Sequence, residues 1–343
     1  MKAVVFTEHG GPEVLKYTDA PDPKPRADEV LVRVRACALN HLDLWIRKGI
    51  PGIQIPMPHI NGSDISGEIA AVGELVTHLR AGDKVVLAPG VSCGHCHACL
   101  AGNDNLCREY MLLGYLVPGG YAEYVCAPAR NAFPLPGDLS FEEAAAVPLV
   151  FLTAWHMLVV RAHLQPAEEV LILGGGSGVA SAAIQIAKVF SARVIATVGS
   201  KEKIAKTKSL GADHVILHSK PNWQSEVKNL TYRRRGVDVV FEHVGTATWD
   251  QSVACLAPNG RLVTCGATTG YDARIDLRFL FSRHLSIVGS YMGSKAELFP
   301  VLDLVERKVI HPVVDKIFPL AEAAEAHRRL EARSQFGKIV LKI

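Results

Sequence analysis

The pattern of apolar and polar residues divides the chain into a β-rich front part and a later part in which strands and helices alternate. Glu169–Leu173 (EVLIL) is a run short enough for a buried parallel strand. Val179–Phe190 is apolar on nearly every side, as a helix packed under a sheet is. Six strand-like runs with helical segments between most of them predict a doubly wound parallel sheet. The six runs are Glu169–Leu173, Arg193–Val198, His214–Leu217, Val237–Phe241, Arg261–Cys265 and Ser286–Gly289.

The first 150 residues follow a different pattern. Runs such as Ala3–Phe6, Val30–Val34 and Asp64–Val72 are separated by turns, which is typical of antiparallel β structure. No disordered linker marks a boundary, so the change of pattern places it. The predicted units are a β-rich domain over residues 1–150, an α/β domain over 151–297 and a C-terminal return over 298–343. Lys338, at the start of the last strand, is expected to be a surface residue, and contact with a bound cofactor is the alternative.

A glycine-rich turn, Gly174-Gly175-Gly176-Ser177-Gly178, joins the first strand of the alternating part to the helix that begins at Val179. A helix N-terminus offers unpaired N–H groups and a partial positive charge, and glycines let a pyrophosphate approach the backbone. Aligned with the dinucleotide-binding fingerprint, Ser177 and Ala180 fill the second and third glycine positions. Because glycines also serve ordinary tight turns, it is the alternation of strands and helices that favours a nucleotide site here.

Ligands of a doubly wound sheet bind at the carboxyl ends of its strands. Besides the glycine-rich turn and Val179, the predicted cofactor-binding residues are therefore Ser200, Lys203, His243, Val244, Gly266, Ala267 and Ser290. NAD-binding proteins place an acidic residue about 20 positions past the turn. Val198 or Gly199 stands there in this chain, and Ser200 and Lys203 could bind a 2′-phosphate. The sequence thus predicts NADP(H) in preference to NAD(H).

Composition narrows the function classes. The chain has 343 residues, 21% of them charged and 49% hydrophobic, as in an ordinary globular enzyme. A net charge of only +3 gives no reason to expect nucleic acid or a membrane surface as a partner. No apolar run approaches the roughly 20 residues that span a bilayer, and the first residues, MKAVVFTEHGG, do not resemble a signal peptide. We expect a cytoplasmic protein that acts on a small molecule.

Four of the eight cysteines form the most specific motif of the chain. Cys93, Cys96, Cys99 and Cys107 have the spacing C-x2-C-x2-C-x7-C. Four thiolates fill a tetrahedral shell around Zn²⁺ and leave no open position, which predicts one structural zinc per chain. An iron–sulfur cluster and two disulfides are the alternatives. The bacterial ferredoxin run would need its fourth cysteine after three residues, followed by proline, and this chain has neither.

With its β-rich front part, four-cysteine loop and nucleotide-binding sheet, the chain resembles the medium-chain dehydrogenase/reductase superfamily. The resemblance runs from MKAVVFTEHGGPEVL to FGKIVLKI. It implies a GroES-like catalytic domain, a Rossmann domain with a six-stranded parallel sheet, a cleft between the two, and a homodimer or homotetramer.

The resemblance also implies where a second, catalytic zinc would bind in zinc alcohol dehydrogenases. This chain has Asn40 at the position of the first ligand and Gly62-Ser63-Asp64 where those enzymes have Gly-His-Glu. The stretch expected to hold the last ligand, VPLVFLTA over residues 147–154, contains no Cys, His, Asp or Glu. The segments Leu39-Asn40 and Leu152-Thr153-Ala154 are instead similar to the zinc-free quinone oxidoreductase branch.

The predicted function follows from a missing catalytic metal. Zinc polarises a carbonyl, so without it quinones and α,β-unsaturated carbonyls are better hydride acceptors than simple ketones. Their developing charge can be stabilised by hydrogen-bond donors, for which Asn40, Ser63 and Thr153 are the candidates, with Asp43 orienting the Asn40 loop. One alternative is a zinc alcohol dehydrogenase whose ligands are rearranged among Cys37, His41, His59 and Asp64. Another is a cofactor-binding module without catalytic activity.

Overall fold

A computed structural model describes residues 1–343, which divide into two units. The first unit comprises Met1–Leu149 and Ser294–Ile343, and the second comprises Val150–Gly293. The boundaries predicted after residues 150 and 297 correspond to boundaries after residues 149 and 293 in the structure. The C-terminal return thus begins with the helix Lys295–Glu306.

The first unit is built around a seven-stranded, mostly antiparallel sheet. Six of its strands follow one another across the sheet in the order Val314–Pro319, Lys338–Lys342, Glu29–Ala38, Asp64–Val72, Lys84–Leu87 and Ala132–Pro134. The seventh, Tyr124–Pro128, also pairs with Glu29–Ala38. Alternate residues of Glu29–Ala38 are buried, as expected for a strand with one face on the core.

The register of this sheet brings distant parts of the sequence together. Ala38 lies opposite Asp64 on one side and opposite Val340 on the other. The Leu39 N–H donates to the Ile339 carbonyl at 2.9 Å, which continues the antiparallel pairing beyond Ala38. Since partners in an antiparallel pair change by one residue in opposite directions, Asn40 is brought to the level of Lys338.

Smaller elements complete the first unit. Two short strand pairs, Lys2–Val5 with Lys16–Asp19 and Gly90–Val91 with Met111–Leu112, lie outside the large sheet. Its helices are His41–Lys48, His97–Leu100, Phe141–Ala145, Lys295–Glu306 and Ala323–Glu331, with short 3-10 turns at Pro12–Val14, Asp104–Leu106, Ala129–Asn131 and Leu320–Glu322.

The second unit contains a six-stranded, fully parallel sheet. Its strand order is His214–Leu217, Arg193–Val198, Glu169–Ile172, Val237–Glu242, Leu256–Thr264 and Ser286–Gly289, which is the Rossmann order 3-2-1-4-5-6. The intervening helices are Gly178–Val189, Glu202–Ser209, Trp223–Leu230, Trp249–Ala254 and Leu277–Ser282, with a 3-10 turn at Tyr232–Arg234. The helix Pro148–Trp155 continues into a π-helical turn, His156–Arg161, before the first strand.

The central strand of that sheet has a nearly continuous apolar sequence because it is buried on both faces. All four residues of Glu169–Ile172 are buried, because helices cover both faces of a parallel sheet. Glu169 is the one charged residue of this strand, and its carboxylate is paired with the Arg193 guanidinium at 2.7 Å. The predicted fold class, a GroES-like β-rich domain with a Rossmann sheet, is confirmed. No helix of the structure combines the length and the apolar character that crossing a bilayer requires.

Candidate functional site

The four cysteines of the C-x2-C-x2-C-x7-C motif converge in a small lobe of the first unit. Their sulfur atoms all lie within 4.8 Å of one another. The Cys93–Cys99 sulfurs are 3.9 Å apart, and the Cys96–Cys99 and Cys93–Cys107 sulfurs are 3.6 Å apart. Four thiolates at a Zn–S distance of about 2.3 Å in tetrahedral geometry lie about 3.8 Å from one another. The lobe therefore suits a single tetrahedral zinc.

Local backbone geometry prepares this lobe for a cation. Hydrogen bonds from the backbone N–H groups of His95 and Cys96 lower the pKa of the Cys93 thiol to about 6, which favours the thiolate that binds metal. A partly buried ion pair holds the lobe in place, because Lys295 bonds Asp104 from the start of the helix Lys295–Glu306. The same ammonium also contacts the Ser92 hydroxyl at 3.2 Å. His95 is exposed and contacts only the Cys93 carbonyl.

The glycine-rich turn of the second unit has the form of a phosphate-binding loop. Gly174 has a φ of +60°, which favours glycine, and Gly175 packs so closely that an added Cβ would lie 2.8 Å from Thr207. The Ser177 hydroxyl accepts the Ala180 N–H at 3.1 Å and so caps the helix Gly178–Val189. The serine that replaces a glycine of the fingerprint is thus an N-cap. The other first-turn N–H groups lack intrahelical partners and are suited to a pyrophosphate.

The predicted residues after the fourth and fifth strands lie around the same end of the sheet. The His243 ring contacts the Leu173 carbonyl at 2.8 Å, and its burial lowers its pKa, which favours the neutral ring. A Cβ on Gly266 would lie 3.0 Å from the His243 carbonyl, so this pair of loops packs tightly. The Ser290 hydroxyl oxygen is buried without a partner, which leaves a polar group for a ligand to satisfy.

Glu242, which the sequence did not single out, organises the loop that carries His243 and Val244. Its buried carboxylate accepts the N–H groups of Val244 and Gly245 at 2.6 and 3.1 Å. It also accepts the hydroxyls of Thr248 and Ser252, the latter at 2.6 Å. Four donors on one carboxylate fix this loop in a single conformation.

A histidine lies near the end of the second strand, where NAD-binding proteins have an acidic residue and this chain has none. Gly199 follows the second strand, and His218 follows the third strand beside it. An added Cβ on Gly199 would lie 3.4 Å from the His218 Nε2, while His218 Nδ1 contacts the Thr197 hydroxyl at 3.0 Å. His218 was missed because it is 19 residues past Gly199 and only strand pairing brings the two together.

In the first unit, Asn40 is part of a buried three-residue network that joins three strands. The Lys338 ammonium donates to Asn40 Oδ1 at 2.6 Å and to Asp64 Oδ2 at 2.8 Å. The Asn40 amide nitrogen in turn donates to Asp64 Oδ2 at 2.9 Å and to the Ala38 carbonyl at 3.5 Å. The expectation that Lys338 is a surface residue was wrong, since its side chain is only 4% exposed.

Asp43 links the Asn40 loop to the loop that carries Ser63. Its carboxylate accepts the Asn40 N–H at 2.7 Å and the Gly62 N–H at 3.1 Å. This geometry suits the predicted orienting role, which stays a prediction. Ser63 itself is fully buried, and its hydroxyl has no hydrogen-bond partner. Thr153 belongs to the second unit, where its hydroxyl contacts only the Met292 sulfur at 3.9 Å.

A chain of hydrogen bonds runs from Arg47 through His327 and Tyr121 to Asp43. Arg47 can only donate, so its contact with His327 Nδ1 at 3.0 Å places the ring proton on Nε2. That proton faces the Tyr121 hydroxyl at 3.1 Å, and Tyr121 hydrogen-bonds Asp43. Burial and the Arg47 charge lower the pKa of His327 to about 3, so the ring is neutral at physiological pH.

Asp43 is expected to make stability depend on pH. Burial raises its pKa from 3.8 to about 7, although the Asn40 N–H and the Lys338 charge oppose the shift. A carboxyl with a raised folded-state pKa stabilises the fold below its unfolded pKa and loses this contribution as the pH rises through its folded pKa. As the pH rises from 4 to 8, the free energy of unfolding of wild type should therefore fall by about 4 kcal/mol relative to that of Asp43→Asn, which has no carboxyl to titrate. Denaturant titrations of both proteins would measure this, and parallel pH profiles would contradict it.

Two overlapping sets of metal-ligating side chains lie close together in the structure. The groups of three or more Cys, His, Asp and Glu ligand atoms that lie together are the four cysteines and a set that shares Cys93 with His95 and Glu109. Among the residues proposed for rearranged ligands, Asp64 is bound to Lys338, and His59 contacts the Gly114 carbonyl at 3.0 Å. Cys37, His41, His59 and Asp64 thus form no ligand cluster.

Two family descriptions match the chain. Residues 26–137 match the alcohol dehydrogenase GroES-like domain, and residues 178–307 match the zinc-binding dehydrogenase domain. A zinc-type alcohol dehydrogenase-like protein of Schizosaccharomyces pombe is 35% identical, over 100% of this chain and 99% of its own length. A quinone oxidoreductase of Pseudomonas aeruginosa is 34% identical, over 99% of each protein.

The fold of a solved relative agrees over the full length. The crystal structure of an NAD-dependent alcohol dehydrogenase superposes with a TM-score of 0.97 and 49% identity, covering 100% of both chains. These relatives include both alcohol dehydrogenases and quinone oxidoreductases, so they identify the class of chemistry and leave the substrate open. The chain is an oxidoreductase and belongs to the medium-chain dehydrogenase/reductase superfamily.

Proposed function

We propose that this enzyme transfers a hydride from NADPH to a quinone or an α,β-unsaturated carbonyl without a catalytic metal. The observation that carries the proposal is the network at Asn40. An amide, a carboxylate and an ammonium stand together where the resemblance places the ligands of a catalytic zinc. A cation already neutralises the Asp64 carboxylate, so a divalent metal there would meet the Lys338 charge.

This arrangement suits acceptors that spread their own charge. Bound NADPH supplies the hydride. In a conjugated carbonyl the hydride adds to carbon and the negative charge moves to an oxygen, where hydrogen-bond donors of the protein stabilise it. An unactivated ketone concentrates charge on one oxygen from the start and gains most from a Lewis acid. The first unit offers donors and one ammonium, which favours the conjugated substrates.

The second unit supplies the residues that would hold the cofactor. The N–H groups at the start of the helix Gly178–Val189 suit the pyrophosphate. The loops around His243, Gly266 and Ser290 lie at the carboxyl ends of neighbouring strands, where nicotinamide cofactors bind in such sheets. A buried Ser290 hydroxyl without a partner supports the assignment of this edge to a polar ligand.

NADPH is proposed over NADH because of Gly199 and its neighbours. No carboxylate occupies the end of the second strand, where NAD binders have one. Ser200, Lys203 and His218 can donate hydrogen bonds to a phosphate there. The 49% identical relative is described as NAD-dependent, which makes a direct comparison of the two cofactors worthwhile.

Gly199→Asp is expected to reverse the cofactor preference. The new carboxylate repels a 2′-phosphate and accepts hydrogen bonds from a ribose hydroxyl, and an added Cβ has no contact closer than 3.4 Å. We expect the ratio of kcat/KM for NADPH over NADH to fall at least about 10-fold. Gly199→Asn is the matched control, because it adds the same bulk without charge. An equal response of both variants would contradict the electrostatic explanation.

The proposed function is tested by NADPH oxidation with four acceptors: a benzoquinone, an enone, a simple ketone and an aldehyde. We expect turnover of the first two and little with the others. A preference for the ketone or aldehyde, or for oxidising simple alcohols, would favour a zinc alcohol dehydrogenase with rearranged ligands. Cofactor binding without turnover of any acceptor would favour a module that has lost catalysis.

We also propose that the protein is a homo-oligomer. Ser286–Gly289 is an edge strand of the six-stranded sheet, and Ile287, Phe281 and Tyr291 near it are 37%, 69% and 55% exposed. Unpaired edge groups beside exposed apolar side chains favour pairing with a second copy. Light scattering during gel filtration would give the oligomeric state, and a monomer at micromolar concentration would contradict the proposal.

A further inference from the structure

Lys338 is a buried cation with one hydrogen-bond donor left over. Its ammonium carries three N–H groups, and the structure gives partners to two of them, Asn40 Oδ1 at 2.6 Å and Asp64 Oδ2 at 2.8 Å. The side chain is 4% exposed, so water does not freely solvate the third. An ammonium in this situation attracts an anionic or carbonyl oxygen strongly, because little solvent screens its charge.

The other polar groups of the network are already engaged. The Asn40 amide nitrogen faces Asp64 Oδ2 and the Ala38 carbonyl, so both of its hydrogens point into the protein. Asp64 Oδ1 accepts the Leu149 N–H at 2.8 Å. Asn40 therefore cannot offer a donor to a substrate without breaking a bond to Asp64, and Lys338 is the member of the network with a donor to spare.

An independent observation beside the network points to a ligand. Ser63, which precedes Asp64 in the chain, is 0% exposed, and its hydroxyl has no hydrogen-bond partner. Buried hydroxyls in folded proteins are nearly always bonded to protein or to an ordered molecule. A second donor thus stands unpaired next to the residue that holds the Lys338 ammonium.

We propose that the Lys338 ammonium supplies the positive charge that a catalytic metal would otherwise supply. Its third N–H donates to the carbonyl oxygen of the substrate, and the Ser63 hydroxyl is the second donor to that oxygen. The inference rests on the proposed function. As a hydride reaches the conjugated carbon, a carbon–hydrogen bond forms there and the π electrons move onto the oxygen. Lys338 stabilises this enolate or phenolate, a proton from water completes the reduced product, and NADPH is oxidised to NADP⁺. Asp64 and Asn40 are positioning residues that hold the ammonium.

The test uses a double variant, Lys338→Met with Asp64→Asn. Removing both charges avoids an unpaired buried carboxylate, which would endanger folding in the single variant. We expect kcat for quinone and enone to fall about 100-fold to 1,000-fold, with little change in the KM for NADPH. Lys338→Arg should recover part of the loss, because it restores the charge. The matched control is Lys342→Met, which breaks an exposed ion pair with Glu142 on the same strand and should leave kcat unchanged.

A second readout does not depend on turnover. The visible absorbance of 4-nitrophenol in the NADP⁺ complex reports the pKa of the bound phenol. Wild type should lower that pKa, and the double variant should return it to the value in water, with Ser63→Ala in between. If the double variant had the same kcat and the same phenol pKa as wild type, the proposal would be overturned. A change confined to the KM for NADPH would also overturn it and would assign Lys338 to the cofactor. If wild type reduced no quinone or enone, the proposed function would fail and the phenol pKa would alone decide the role of Lys338.

Discussion

Replacing Cys107 with serine is expected to release the zinc and unfold the lobe that spans the four cysteines. The lobe has two short strands, Gly90–Val91 and Met111–Leu112, one helix of four residues and the 3-10 turn Asp104–Leu106. Such a segment has no core of its own, and in small zinc domains metal binding contributes on the order of 10 kcal/mol to folding. We expect loss of stoichiometric zinc, a lower melting temperature and rapid proteolysis between residues 93 and 107.

Cys126→Ser is the matched control for this experiment. Cys126 lies on the strand Tyr124–Pro128, outside the cluster, and is half-buried, as three of the four clustered cysteines are, whereas Cys107 is buried. Zinc content and protease resistance should be unchanged in that variant. Retention of one zinc per chain by Cys107→Ser would contradict the proposed ligand set, and iron in wild-type protein would favour a different metal centre.

Replacing Glu242 with alanine is expected to lower the free energy of unfolding by about 4 kcal/mol. The change leaves two backbone N–H groups and the Ser252 hydroxyl without an acceptor, while the Thr248 hydroxyl keeps the Gly245 carbonyl at 3.3 Å. Each buried unsatisfied donor costs about 1–3 kcal/mol. Some of these groups will find water, which is why the expected total is below their sum. Because Val244 and Gly245 are among the donors, the loop predicted to contact the cofactor should also lose its fixed conformation.

Chemical denaturation and NADPH titration would measure the two effects together. Glu242→Gln keeps one acceptor oxygen and should show about half the loss of stability. Glu325→Ala is a suitable control, since Glu325 is exposed and pairs only with Arg328 one turn away. An unfolding free energy within about 0.5 kcal/mol of wild type for Glu242→Ala would contradict this account of the loop.

The features that the sequence predicted correctly depend on neighbouring residues or on burial. Glu169–Ile172 was recognisable because a strand with both faces covered is continuously apolar. The convergence of the four cysteines could be expected because they lie within 15 residues of one another, and their role as zinc ligands stays a prediction. The helix predicted to begin at Val179 begins at Gly178, whereas the capping role of Ser177 was not predicted, although a serine before a helix is a local signal.

The features that were missed depend on sheet register. Lys338 is 274 residues from Asp64 and 298 from Asn40, and no periodicity in the sequence shows which residues of three strands stand at one level. The residue type was also misleading, because a lysine side chain is normally exposed to solvent. His218 beside Gly199 was missed for the same reason. Glu242 is different, because its donors lie within ten residues of it, so sheet register does not explain why it was missed. A glycine before Lys338 was the one local sign that the strand begins close to other backbone.

Zinc content per chain of purified protein should be measured on the same sample as its quinone and enone reductase activity. We expect one zinc per chain, held by the four cysteines, in protein that reduces conjugated carbonyls. Two zincs per chain, with activity towards simple alcohols that disappears when one of them is removed, would contradict it. The search for ligands would then return to Cys37, His41, His59 and Asp64.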